Sequence, residues 1–568
     1  MLATLLTWLI NLWRGARNAW RRLLHRRPYW VRLEISGALP EFAEPIGRWR
    51  RLLGAQEPLS LQSLRRRLER LADDPHARGA LLIIGDLGAG WATTQSFQEI
   101  LKNLHASGKG VVAQLSGADT RAYLAACAAD RIVMPPTAYL NLLGVRAEAQ
   151  FLADSLRLAG VEAEVIAVSP YKSGGDQLAR AEISPEARAQ LERLVEQRYE
   201  LVVRGIADAR GISDDEVRRL IDTAPHRASP AAEAGLLDAA LYDDEIEAYL
   251  RAYGGEPAAG APAPALIEWG SAARRMPLPM LRRERRHIGV VSVTGAITAG
   301  PSRRSPLPLP IFGGAMAGSD SVSQALRRAE RDRRLAALVL HIDSPGGDSF
   351  ASDLIWREVL RVAKGRPVVV SMGDAAASGG YYIAAPARAI VAQPATLTGS
   401  IGVYAVRPNL SGLLEKAEVG TAVIARGARS GLFSPLAAMS DEERAALRRT
   451  VGETYSAFKE RVRAGRGLSE ERLEPIAGGR VWSGAEAAQL GLVDVLGGLP
   501  TAVAKARELA GLPADERAPL VLYRGGRGQS APKPFADPPD PPAALAALLG
   551  DALRPRILAA LPWVLWER

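Results

Sequence analysis

TRAYLAACAADRIVMPPTAYLNLLGV (120–145) and SGGYYIAAPARAIVAQPATLTGSIGV (378–403) are two versions of one segment, displaced by 258 residues. Tyr123, Ile132, Pro136 and Gly144 fall on Tyr381, Ile390, Pro394 and Gly402. The same displacement brings LEISGAL (33–39) onto VSVTGAI (291–297), LLIIGDLGAG (81–90) onto VLHIDSPGGD (339–348), and EVIAVSPYKS (164–173) onto AVIARGARSG (422–431). Further on the register drifts by two, and EAGLLD (233–238) meets AQLGLVD (488–494). One displacement held over so much chain means that one domain occurs twice. Two copies are too few for a solenoid, so each must hold its own core.

Inside each copy, short apolar runs alternate with helical stretches. ALLII and ALVLHI, GVVAQL and PVVVSM, RIVMPP and AIVAQP read as buried strands. The charged segments 184–211 and 440–467 have helical apolar spacing and end in Gly. This alternation predicts an α/β fold with a parallel sheet covered by helices in each copy. The expected organisation is an N-terminal helix (1–28), a first repeat (29–254), a connection (255–286), a second repeat (287–515), and a linker with an apolar tail (516–568). Residues 525–542 have the Pro/Gly-rich composition of a flexible linker.

Composition narrows the function. With 48% apolar residues the chain is not mostly disordered. The net charge of +10 is concentrated in part between Arg14 and Arg27, which hold six Arg and no acid. That is one basic patch, not a nucleic-acid-binding surface, and no nucleic-acid partner is expected. The single cysteine, Cys127, excludes a disulfide framework and a thiolate-rich zinc site. No P-loop pattern occurs, and neither metal nor cofactor is implied.

A duplication is its own control, because features found in one copy only are not demanded by the shared fold. The second copy has Ser344-Pro345-Gly346-Gly347 where the first has Asp86-Leu87-Gly88-Ala89. It has Ser378-Gly379-Gly380 where the first has Thr120-Arg121-Ala122. Conversely, Lys172 of the first copy is matched by Ser430. Ser378 follows a strand and precedes a helix-like start, a turn that exposes a hydroxyl; a plain helix N-cap has the same local look. The SPGG turn offers backbone N–H groups to an oxyanion, or is an ordinary tight turn.

A serine nucleophile needs a base. None of the six histidines follows Ser378, and His341 lies within a strand run, where packing explains it. Lysine loses its proton readily when buried, whereas arginine does not deprotonate in proteins. In a chain with eight Lys against 64 Arg, Lys172 in VSPYKSGGD is therefore informative. On local sequence alone a surface-loop lysine fits equally.

IDSPGGDSFAS (342–352), AAASGGYYIA (375–384), TLTGSIGVY (396–404) and YKSGGD (171–176) resemble the long, duplicated form of the bacterial signal peptide peptidase (SppA) family. The resemblance covers about residues 30–510. It implies tandem Clp/crotonase-like domains and a membrane-associated serine endopeptidase with a Ser–Lys dyad, which degrades cleaved signal peptides or other short apolar peptides through an acyl-enzyme. On this sequence the dyad falls on Ser378 as nucleophile and Lys172 as general base. It also implies that Ser400 orients the lysine and that backbone N–H groups of Gly347 and Gly379 form the oxyanion hole. Burial at the joint between the repeats would keep the lysine neutral. A homotetramer at the inner membrane, with periplasmic catalytic domains, is the corresponding expectation.

The N-terminus departs from that pattern. The apolar run MLATLLTWLINLW (1–13) spans about 20 Å as helix, short of the ~30 Å hydrocarbon core. Its positive charges follow the run, unlike those of a signal peptide, and would put the domains on the cytoplasmic side if it spanned. Trp8, Trp13 and Trp20 among Leu and Arg fit a helix lying at a bilayer surface, or one packed on the protein's own body. Residues 543–568 have a similar character, interrupted by Pro555 and Pro562, and are a weaker candidate for the same role. Two other functions fit the fold: an acyl-CoA enzyme, for which Asp348 is the only nearby acid after SPGG, and a membrane scaffold without catalysis.

Overall fold

The computed structural model describes residues 2–24, 27–43, 58–253, 263–281, 286–305, 314–515, 518–525 and 556–560. The expected 525–542 linker lies outside the described residues but for Gly525, as does most of the 543–568 tail. The chain forms two compact units: Met1–Val145 with Glu196–Glu284, and Arg146–Val195 with Arg285–Arg568. Residues 146–195, which sequence register assigns to the first copy, therefore belong to the second unit.

The first unit is built on a wholly parallel sheet. Its strand order is Ala265–Glu268, Tyr29–Gly37, Ala77–Leu87, Gly110–Leu115, Arg131–Met134 and Ala239–Ala240. The second unit repeats the path with Leu520–Tyr523, His287–Thr294, Leu335–Ser344, Val368–Ala377, Ala389–Ala392 and Val495–Leu496, again all parallel. The outermost strands, 265–268 and 520–523, lie in the segments read from sequence as connection and tail. The central strands are near-continuous apolar runs because helices cover both faces. Leu338, Val339 and Leu340 are fully buried, and truncating Leu340 to Ala would cost about 2–5 kcal/mol.

The duplication extends to single hydrogen bonds. Tyr123 Oη donates to the Leu236 carbonyl at 2.6 Å, and Tyr381 Oη to the Leu492 carbonyl at 2.9 Å. Asp238 accepts the Ile132 N–H, as Asp494 accepts that of Ile390. Each pair ties the short helix after a central strand, or the strand beyond it, to the end of its repeat. The two long charged segments are helices, Pro185–Arg210 and Asp441–Arg466, and the second starts at a Ser440/Glu443 capping box.

A further sheet in the second unit runs Arg303–Ser305, Gly314–Gly318, Ala296–Thr298, Gly346–Asp348, Arg556–Ala560, Tyr404–Asn409, Glu162–Ala167. The C-terminal stretch weighed as a membrane segment thus contributes a strand here. The reason is local: Arg556–Ala560 is free of proline, and it meets an open strand edge on either side.

At the N-terminus the apolar run and the Arg-rich stretch form one helix, Leu2–Leu24. Arginine is a good helix former, so the charge does not end it. The amphipathicity is inverted. Asn11 and Asn18 donate to the carbonyls of Leu281 and Leu278, and Arg21 to that of Met276. Leu5, Leu6, Trp8, Leu9, Leu12, Trp13 and Trp20 are exposed. Among the described residues, no helix is long and apolar enough to cross a membrane.

Candidate active site

Ser378 ends the Val368–Ala377 strand and precedes the Gly379–Ala384 helix. Its backbone is held at φ 53°, ψ −113°, a conformation costly for a residue with a Cβ. Its N–H donates to Gly399 at 2.8 Å and its carbonyl accepts from Tyr382. The side chain makes no capping bond, so the N-cap alternative does not describe it.

The lysine arrives on another element. Glu162–Ala167 pairs antiparallel with Tyr404–Asn409, register Tyr404 opposite Ala167. Val168 then donates to the Val403 carbonyl, and the chain turns at Ser169. Lys172 follows, 1% exposed, which removes the surface-loop alternative. Its Nζ lies 2.6 Å from Ser378 Oγ, 2.9 Å from Ser400 Oγ and 3.0 Å from the Ser400 carbonyl. Ser378 and Ser400 are fully buried. Burial pushes the ammonium well below the usual lysine range, since desolvation penalises the charged form. This burial lies within the second compact unit, where the first-repeat segment 146–195 packs against second-repeat residues. The arrangement sets an amine whose charged form is disfavoured by burial against a serine hydroxyl, the geometry that general-base activation of a nucleophile needs.

In sequence Gly347 lies between Lys172 and Ser378, and Gly379 directly follows the serine. Gly347 lies on the Gly346–Asp348 strand and Gly379 opens the helix after Ser378. Gly347 has φ +155°, and a Cβ there would fall 2.1 Å from the Ile297 carbonyl oxygen. The SPGG segment is accordingly part turn and part strand. Ser344 Oγ accepts the Gly346 N–H within the turn. Asp348, the acid considered for thioester chemistry, instead caps the Ser349–Gly365 helix by accepting the Ala351 N–H at 2.7 Å.

The family model for peptidase family S49 matches residues 103–252 and 361–513, once in each repeat. The chain is 33% identical over 465 residues to the chloroplastic serine protease SPPA of Arabidopsis thaliana, covering 82% of this chain and 68% of that protein. It is 28% identical to Protease 4 of Haemophilus influenzae and 29% to Protease 4 of Salmonella typhi, each over 84% of this chain and 78% of the relative. The chain belongs to peptidase family S49.

Several residues that hold this S49 site were not singled out from sequence. In the Gly478–Gly479 loop Gly479 presses on the lysine: a Cβ there would lie 2.7–2.8 Å from Lys172 Cα, Cβ and Cδ, and its φ is +90°. The loop is fixed because Gly479 donates to the Ile401 carbonyl and Ser400 to that of Arg480. The lysine-bearing strand is anchored by a buried ion pair, Arg407 Nε to Glu164 Oε2 at 2.8 Å, with Arg444 and the Met439 N–H on the other carboxylate oxygen. At the end of the Leu335–Ser344 strand Asp343 is half-buried beside Asp374 and accepts the Ala375 N–H. Burial and the neighbouring aspartate raise its carboxyl to about 7. The double glycine was the one visible signal in sequence; the carboxylates carried none.

Proposed function

We propose that this S49 serine peptidase cleaves peptide bonds with a Ser378–Lys172 dyad. The 2.6 Å approach of Nζ to Oγ in a water-excluded setting carries the reading. In the neutral amine two N–H bonds go to the Ser400 carbonyl and Oγ, and the lone pair is left for the Ser378 hydroxyl proton. Ser378 Oγ attacks the scissile carbonyl as Lys172 takes that proton. Gly347 and Gly379 N–H groups meet the developing oxyanion. The lysinium protonates the departing amine, and a water repeats the cycle on the acyl-enzyme. No metal or cofactor takes part.

The substrates on this reading are short, apolar, extended peptides, with cleaved signal peptides the case the SppA resemblance supplies. The chain associates with a membrane through the Leu2–Leu24 helix lying in the interface, its apolar face outward; the inverted amphipathicity supports this. Tetrameric assembly and a periplasmic catalytic side rest on the resemblance alone.

The test is labelling by a fluorophosphonate serine probe in wild type, Ser378→Ala and Lys172→Ala, with the labelled peptide located by mass spectrometry. Labelling at Ser378 that vanishes in both variants is expected. A folded wild type without label, or equal labelling without Lys172, sinks the dyad. Flotation with anionic vesicles, lost in Trp8→Glu/Leu12→Glu, checks the helix.

A further inference from the structure

The strand Arg556–Ala560 lies between Gly346–Asp348 and Tyr404–Asn409 and is antiparallel to both. On one side Gly346, Gly347 and Asp348 oppose Ala560, Ala559 and Leu558. On the other, Tyr404, Ala405 and Val406 oppose Leu558, Ile557 and Arg556. Neighbouring strands are about 4.8 Å apart, so without this segment a slot of roughly 10 Å separates two open strand edges. An extended peptide of any sequence fills such a slot with main-chain hydrogen bonds on both sides.

The slot's walls are the site's own segments. One edge contains Gly347, the proposed oxyanion donor, placed between Ile297 and Ala559. The other begins at Tyr404, directly after Val403, whose carbonyl holds the lysine-bearing strand. The occupying sequence RILAA is short and, after Arg556, wholly apolar, as proposed for substrates. Pro555 and Pro562 bound it, and neither can donate to a ladder.

We propose that Arg556–Ala560 is an intramolecular occupant of the peptide-binding groove and competes there with substrate. The proposal rests on the peptidase reading for the identity of the groove. Tethering supplies the segment at an effective concentration near the millimolar range. A competitor of this kind multiplies the apparent KM by one plus the ratio of occupied to open groove and leaves kcat alone.

The experiment compares the full-length chain with full-length Ala559→Pro and Leu558→Pro, since a proline within a strand paired on both sides removes a ladder hydrogen bond. One readout is hydrolysis of a fluorogenic apolar peptide. The other is amide hydrogen exchange at Gly346–Asp348 and Tyr404–Val406, with the Leu335–Ser344 strand as the check on folding. A synthetic peptide of residues 553–563 is added in trans. Expected are a KM lower by about fivefold or more with kcat within about twofold, faster exchange at both edges, and reversal of both by the peptide. Unchanged KM, with or without faster exchange, overturns the proposal. If no form hydrolyses peptide while exchange still responds to the substitutions and to the added peptide, the catalytic reading falls and the groove assignment stands.

Discussion

Ser400 meets Lys172 Nζ twice, through its Oγ at 2.9 Å and its carbonyl at 3.0 Å. Both contacts come from one residue at a positive φ of 49°, so side chain and backbone are aimed together. Replacing Ser400 by Ala leaves the carbonyl contact and frees one amine N–H. A buried hydrogen bond of this kind is worth about 1–3 kcal/mol, so kcat should fall roughly tenfold to a hundredfold with KM little changed. Partial recovery in Ser400→Thr would separate aiming from packing; equal kcat in Ser400→Ala and wild type would remove its role.

Activity should rise with pH through a lysine pKa well below its ordinary 10.5, then level off. Lys172→Arg keeps a cation that cannot deprotonate, and should lose the general-base contribution of about 10²–10⁴ as fully as Lys172→Ala. A kcat/KM–pH profile of the three forms decides this.

The same burial has a stability sign. The folded lysine stays neutral where the unfolded one binds a proton, so the unfolded state carries more protons from the depressed pKa up to 10.5. Stability is lost as pH falls across that window. Lys172→Met should therefore be inactive yet melt higher than wild type at pH 7, with the gain shrinking towards pH 10. A lower melting temperature at pH 7 would contradict the assignment.

Asp343 acts in the opposite direction. Its folded carboxyl keeps a proton up to about 7, whereas the unfolded one loses it near 3.8. The folded state is weakened as pH rises through that interval. Asp343→Asn keeps an oxygen for the Ala375 N–H and removes the charge. It should melt with wild type near pH 4 and above it at pH 8, by about 2–4 °C for each kcal/mol relieved.

Gly479→Ala places a methyl group against the lysine stem in a backbone conformation that disfavours it. The rate of labelling at Ser378 should fall about tenfold or more, a displacement of the base costing at least about 1.4 kcal/mol. Peptide KM should move little. Labelling at the wild-type rate would mean that the loop yields without disturbing the lysine.

What the sequence made legible was what the two copies share and where they part. The parallel strands were readable because they are buried on both faces and run apolar, and Tyr123 and Tyr381 recur because each anchors its repeat. Ser378 and Lys172 stood out because each lacks its counterpart. Gly479 and Glu164 did not, since their importance comes from contacts with residues far away in sequence: Gly479 with Lys172, Glu164 with Arg407 and Arg444. Asp343 reads as the end of an apolar strand, and only its surroundings and its neighbour Asp374 raise its carboxyl. The N-terminal run reads as 13 mostly apolar residues, while the helix continues to Leu24, its polar residues finding backbone carbonyls.

The matched tyrosine anchors, Tyr123 to Leu236 and Tyr381 to Leu492, show that both copies carry the scaffold, while the proposed nucleophile lies in one copy only. At the position of Ser378 the first copy has Thr120, followed by Arg121 and Ala122 in place of the two glycines. An irreversible acylating reagent should accordingly saturate at one equivalent per chain, not two. On the proposed dyad the first copy keeps one chemical duty, supplying Lys172, so its 120–122 turn is free to drift while the segment that carries the lysine is not.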